Sequence, residues 1–211
     1  GGLLDLEAVL AVLLPLADDC VSLARDATLG VVFTRSRELP LDEVRRLCLD
    51  VNAQGQGVIG VSAQLAPNSL LLIGQHDTLD RFYTRAKETI NVRVHLRKND
   101  HRWPPIHTPI IWQRHIADRA ADRMHTMRVN STSPRPRVFS LVTGDYSYSP
   151  LTARHLLHHW IDHPQRLWDG IYETLSTGAT TVVHVGPGPN IIPATFKRLS
   201  ADVASQTQES R

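Results

Sequence analysis

Between Thr28 and Arg97 the hydrophobic pattern switches repeatedly between strand and helix periods, and that alternation limits the folds open to the chain. Thr28–Thr34 reads as a strand. Leu41–Val51 sets Leu41, Val44, Leu47 and Val51 on one helical face. Gly57–Leu65 and Ser69–Gly74 read as strands joined by a turn at Ala66-Pro67-Asn68. Thr78–Lys87 carries Leu79, Phe82, Tyr83 and Ala86 at helical spacing. Asn91–Arg97 alternates Val92, Val94 and Leu96 with Arg93, His95 and Arg97. The order β-α-β-β-α-β predicts a ferredoxin-like unit.

On either side the pattern is mainly helical. Leu6–Cys20 predicts a helix kinked or broken at Pro15. Lys98–Pro105 reads as a polar connection. A stripe of Trp112, Ile116, Ala120, Met124 and Met127 marks another helix, and Asn130–Arg137 a Ser/Thr/Pro loop. A short strand is expected at Val138–Val142, then helices over Pro150–Ile161 and Pro164–Thr177. Thr180–Val185 has the β-branched composition of a buried parallel strand. Gly186-Pro187-Gly188 turns it into a last helix, Asn190–Leu199, capped by Asn190. A Ser/Gln-rich tail, 201–211, frays.

A formal charge of +2, from 23 Lys+Arg against 21 Asp+Glu, excludes a strongly basic nucleic-acid binder on bulk charge. Cys20 and Cys48 match no zinc spacing and no disulfide framework, which fits reduced thiols in a cytoplasmic protein. The apolar Leu3–Leu16 has acidic residues at its start and no preceding Lys or Arg, the wrong flank for a signal peptide. No apolar run reaches the roughly 20 residues of a membrane span. Gly1-Gly2 without a methionine leads us to expect a chain that starts inside a longer polypeptide.

Chemistry concentrates at Pro104-Pro105-Ile106-His107-Thr108-Pro109-Ile110-Ile111. A histidine between a proline-rich loop and the start of an amphipathic helix is well placed for proton transfer. No Gly-x-Ser-x-Gly elbow accompanies it. The nearest string, Gly60-Val61-Ser62-Ala63-Gln64, lacks the last glycine and lies in a strand. His155, His158, His159 and His163 include i, i+4 pairs that can share a metal. Lacking an intervening glutamate or a nearby cysteine, they read instead as surface histidines at a helix boundary, and no metal is expected. Gly186-Pro187-Gly188 is a poor match to nucleotide-binding loops. Arg85, Lys87, Arg93, His95, Arg97, Lys98 and Arg102 form a charged face without interleaved aromatics. It reads as solvated, or as a docking face for an acidic partner.

In order along the chain, four stretches are similar to the malonyl-CoA:acyl-carrier-protein transacylases and the acyltransferase domains of polyketide synthases. Gly2-Leu3-Leu4-Asp5-Leu6-Glu7-Ala8 resembles the segment that follows the family's nucleophile elbow. Ile106-His107-Thr108-Pro109-Ile110-Ile111 resembles its Phe-His-Ser-Pro-Leu-Met motif. Ser140-Leu141-Val142-Thr143-Gly144 resembles Ser-Asn-Val-Thr-Gly, and Val185-Gly186-Pro187-Gly188 matches Val-Gly-Pro-Gly.

The resemblance implies an α/β fold: part of an α/β-hydrolase-like acyltransferase core with an inserted ferredoxin-like (βαββαβ) subdomain. Residues 1–27 would be a helical part of the core, 28–98 the subdomain, 99–200 the C-terminal part of the core, and 201–211 a tail. It implies transfer of a malonyl-type acyl group from coenzyme A to the phosphopantetheine thiol of an acyl carrier protein, in fatty acid or polyketide biosynthesis. His107 would be the catalytic base of a Ser-His dyad, its ring oriented by a backbone carbonyl near His159-Trp160. The substrates are thioesters, and no further cofactor, membrane or nucleic acid is implied. The serine elbow and the oxyanion loop would precede Gly1, so the chain alone is expected to be inactive. The family's carboxylate-binding arginine falls at Leu16, and its subdomain asparagine near Leu65. These departures keep open a non-catalytic, acyltransferase-like binding or scaffolding module.

Overall fold

The computed structural model of the protein describes residues 3–23, 26–35, 37–109, 114–183 and 185. In chain order the elements are α1 (Leu6–Leu23), β1 (Ala27–Phe33), α2 (Leu41–Asn52), β2 (Ile59–Ala66) and β3 (Ser69–Gln75). Then come α3 (Thr78–Thr89), β4 (His95–Arg102), α4 (Arg114–Met124), α5 (Ala153–Asp162) and α6 (Leu167–Ser176).

From β1 to β4 the expected β-α-β-β-α-β order is present. The strands form one sheet in the order β2-β3-β1-β4, with every neighbouring pair antiparallel. Apolar residues of α2 recur every three or four positions, so one face of the helix can be buried. Val44, Leu47, Cys48 and Val51 of α2 join Leu79, Phe82 and Ala86 of α3 against Val32, Val61, Leu70 and Leu72 of the sheet. Ala27, Leu29 and Ile73 make a smaller cluster with Leu71. Close contact between β3 and α3 requires a glycine. A Cβ on Gly74 would lie 2.2 Å from Thr78 Oγ1, a buried hydroxyl that donates to Gln75 O at 2.6 Å. Gly74→Ala should therefore destabilise the chain by about 1–3 kcal/mol through overpacking. Urea unfolding would measure it, and an unchanged midpoint would show that this contact is loose.

A second core lies among the helices. Val12, Leu16 and Cys20 of α1 meet Ile116, Ala120 and Met124 of α4, Met127, and Ile161 of α5. Four members of the stripe read from the sequence, Ile116, Ala120, Met124 and Met127, are buried there, whereas Trp112 lies outside the described residues. Asp19 ties α1 to α4 through Arg119 at 3.0 Å and Arg123 at 3.2 Å. Burial pushes the Cys20 thiol up to about 11, with Asp19 adding to the effect, and pushes Cys48 up to about 12. Both therefore stay protonated and unreactive.

Several expectations are corrected. Pro15 neither breaks nor ends α1, which continues through it to Leu23. Val12, Leu16 and Cys20 pack on both sides of the proline and hold the helix together across the missing hydrogen bond. The fourth strand is not Asn91–Arg97 but His95–Arg102, so it takes in most of the polar connection. β4 is an edge strand paired on one side only, which lets it carry charged residues that an inner strand could not. Val138–Val142 is not a strand. Ser140 Oγ accepts from the amides of Val142 and Thr143, and Gly144, at φ 73°, donates its N–H to Ser140 O at 2.8 Å. These bonds close a turn. Thr180–Val183 and Val185 are not in a strand either, and Val183 and Val185 are 78% and 92% exposed. A parallel strand is stable only between covering layers, and no neighbouring strand flanks this run among the described residues. The Gly186-Pro187-Gly188 turn, the final helix and the tail lie outside the described residues.

Candidate functional site

His107 stands where the loop after β4 meets the end of α5. Its backbone is left-handed, with φ 61°, a conformation that costs a non-glycine residue roughly 1–2 kcal/mol. Two bonds to consecutive α5 carbonyls hold it there. The His107 N–H donates to Ile161 O at 2.6 Å, and Nδ1 lies 2.6 Å from Trp160 O. The Trp160 indole packs edge-on against the imidazole, with centroids 4.6 Å apart. These carbonyls are available because the last turn of a helix leaves its C=O groups without intrahelical partners.

The contact also assigns the tautomer. A carbonyl oxygen can only accept, so Nδ1 carries the proton and Nε2 keeps its lone pair. Burial pushes the imidazole pKa below its ordinary value, and the Trp160 hydrogen bond partly offsets this. The ring is thus a neutral base at neutral pH, fixed in orientation from behind. The backbone carbonyl that the family resemblance implies near His159-Trp160 is that of Trp160.

The loop is fastened to the sheet as well. Ser62 of β2, 1% exposed, donates through Oγ to Ile106 O at 3.1 Å. Ser62 O in turn accepts from the Gln165 amide at 2.8 Å, and Gln64 N–H donates to Gln165 O at 2.9 Å. The segment between α5 and α6 thereby adds a short parallel bridge, Ala63↔Gln165, to the outer edge of β2. Sequence reading dismissed Ser62 as a failed elbow and missed this supporting role. The signal was a hydroxyl in the middle of an apolar strand, which must find an acceptor when buried.

The other resembling stretches are distributed as follows. Leu4, just ahead of α1, and Ile106 pack against the same helical core. The Ser140–Gly144 turn docks on the residue before α6: Arg166 N–H donates to Leu141 O at 2.8 Å and Arg166 Nη1 to Thr143 O at 2.7 Å. Leu16 is 2% exposed in the α1/α4/α5 core, and Leu65 is buried too. In the basic cluster, Lys98 pairs with Asp80 at 2.8 Å, Arg85 with Asp50 at 4.0 Å, and Lys87 sits over the Tyr83 ring. The histidines at the end of α5, read as surface residues, fall in two overlapping groups, in which His158, His159 and His163 are half-buried. No helix among the described residues is long and apolar enough to cross a membrane.

The fold that carries this histidine is similar to that of solved acyltransferase structures. Matching structures are malonyl-CoA:acyl-carrier-protein transacylases and a polyketide synthase acyltransferase domain. FabD from Acinetobacter baumannii is similar with a TM-score of 0.76 and 17% identity, over 93% of this chain and 59% of that one. A type II polyketide synthase malonyl-transacylase, solved in complex with its acyl-carrier protein, gives 0.76 and 17%, over 93% and 60%. The acyltransferase domain from the second module of the salinomycin polyketide synthase gives 0.71 and 19%, over 94% and 43%. At such identities the likeness is one of fold, and the chain spans about 59% of the length of the Acinetobacter protein. No family model matches the sequence, and no curated protein matches it significantly.

Proposed function

We propose that this chain is the His-bearing portion of an acyltransferase that moves an acyl group from coenzyme A to the phosphopantetheine thiol of an acyl carrier protein. In this reading β1–β4 with α2 and α3, residues 27–102, are a ferredoxin-like insert, and the described helical residues on either side belong to an α/β-hydrolase-like core. The observation that carries the reading is the 2.6 Å contact between His107 Nδ1 and Trp160 O, which leaves Nε2 as the free base.

Chemically, Nε2 takes the proton of a serine hydroxyl supplied outside these residues as that oxygen attacks the thioester carbonyl. Collapse of the tetrahedral intermediate breaks the C–S bond, and the imidazolium returns the proton to the departing coenzyme A thiolate. In the second half-reaction Nε2 deprotonates the carrier's thiol as its sulfur attacks the acyl-serine, then hands the proton back to serine. No other cofactor enters this scheme.

Leu16, buried where the resemblance sets a carboxylate-binding arginine, favours an uncharged acyl group over malonate, because a desolvated carboxylate without a partner costs several kcal/mol. It also supports a second reading, a non-catalytic acyltransferase-like binding module. Incubating the full-length protein with labelled acyl-CoA separates the two. A hydroxylamine-sensitive acyl-enzyme that discharges to holo carrier protein is expected. Retention of label without any covalent adduct would favour the binding module.

A further inference from the structure

The C-terminal end of α5 carries a side-chain group that acyl transfer leaves unused. Spacing by four puts His155, His159 and His163 in file along one side of the helix. Ring centroids are 3.9 Å apart for His155 and His159, and 4.2 Å for His159 and His163. His159 Nδ1 faces His163 Nε2 at 3.1 Å. The second nitrogen of His163, Nδ1, lies 2.6 Å from Asp162 Oδ1. An ionised carboxylate only accepts, so the ring proton of a neutral His163 sits on Nδ1, and Nε2 turns its lone pair toward His159.

We propose that His159 and His163, supported by Asp162, form a binding site for a divalent transition-metal ion of the zinc type. Two imidazole nitrogens on one tetrahedral zinc lie about 3.3 Å apart, given Zn–N bonds of about 2.0–2.1 Å. The observed 3.1 Å is within a few tenths of that spacing. The ion would take the place of the proton now shared between the two rings. Asp162 holds the far nitrogen of His163, the arrangement that orients metal-bound histidines and raises their basicity. Ligand atoms of His159, Asp162 and His163 all lie within 4.8 Å of one another, and all three residues are half-buried. His155, in an overlapping group with His158 and His159, offers a further nitrogen one turn earlier. The position also suits a cation electrostatically, since the C-terminal end of a helix is its negative end. Imidazole donors select zinc, nickel or copper over magnesium and calcium. The site shares its helical turn with Trp160 and Ile161, whose carbonyls hold His107.

The chain, freed of metal with a chelator, should be titrated with Zn²⁺ against a chromophoric competitor and, separately, with Co²⁺ to read the visible absorption of the bound ion. One Zn²⁺ per chain and a melting temperature raised by Zn²⁺ but not by Mg²⁺ are expected. His159→Gln and His163→Gln should each weaken Zn²⁺ binding at least about tenfold, and Asp162→Asn by about 10–100-fold. His101→Ala, on β4, should leave binding unchanged. Glutamine keeps size and hydrogen-bonding capacity, and circular dichroism of the metal-free variants checks that they fold. Wild-type affinity no tighter than that of the His159→Gln/His163→Gln double variant would overturn the site, as would an equal loss in His101→Ala. None of these outcomes bears on whether the protein transfers acyl groups.

Discussion

His107→Ala should lower acyl transfer to a carrier protein by about 10²–10⁴-fold in the full-length protein, the usual share of a positioned general base. The loss should fall on both half-reactions, because the same Nε2 serves serine and the carrier thiol. Steady-state transfer and single-turnover loading from labelled acyl-CoA would measure them separately. Transfer at the wild-type rate would remove His107 from the chemistry. The pH dependence has a defined sign. Burial lowers the imidazole pKa below its ordinary 6.5, so the acid limb of the rate profile should lie below that value. Stability is linked to the same shift. Between 6.5 and the lower folded pKa the unfolded chain binds the proton and the folded chain does not, so stability rises with pH there. The contribution is complete above 6.5 and is lost as pH falls through that window. Urea unfolding of wild type and His107→Gln at about pH 7.5 and about pH 5.5 would show it as a larger acid loss in the wild type.

Leu16→Arg should destabilise the fold by about 3–5 kcal/mol, the penalty of a buried charge with no partner. Leu16 is nearly solvent-free among Val12, Cys20, Ile116 and Ile161. A domain is typically stable by about 5–15 kcal/mol, so the variant would lose a large share of its stability. Leu16→Met, which conserves volume, should cost less than about 1.5 kcal/mol. Urea midpoints of the two variants make the comparison. Were the arginine tolerated within about 1 kcal/mol, position 16 would open onto solvent or a cleft and would not be sealed in the helical core.

The strongly periodic elements were legible before any coordinates. Leu41, Val44, Leu47 and Val51 could only be one face of α2, and Leu79, Phe82 and Ala86 one face of α3, because side-chain direction follows from backbone period. β4 was misread by several residues because Val92 and Val94 alternate convincingly and yet precede the strand, with Val94 buried in the helix-covered core. What recruits the charged stretch 97–102 is its partner, β1, through pairs such as Gly30↔Lys98 and Thr28↔Arg102. Pairing of that kind is non-local and leaves no mark on composition. Val138–Val142 failed in the opposite way. Its apolar residues suggested a strand, but the Ser140 hydroxyl and Gly144 supply local bonds that end the extended chain at once. At the site, His107 was legible through its motif. Its left-handed backbone and its tie to β2 through Ser62 depend on elements brought together only by folding.

Both margins of the four-stranded sheet are closed to strand addition, one by Gln165 bridging to β2 and the other by the charged residues of β4. Edge-to-edge strand pairing, the amyloid-like route of association, is thereby disfavoured at both margins.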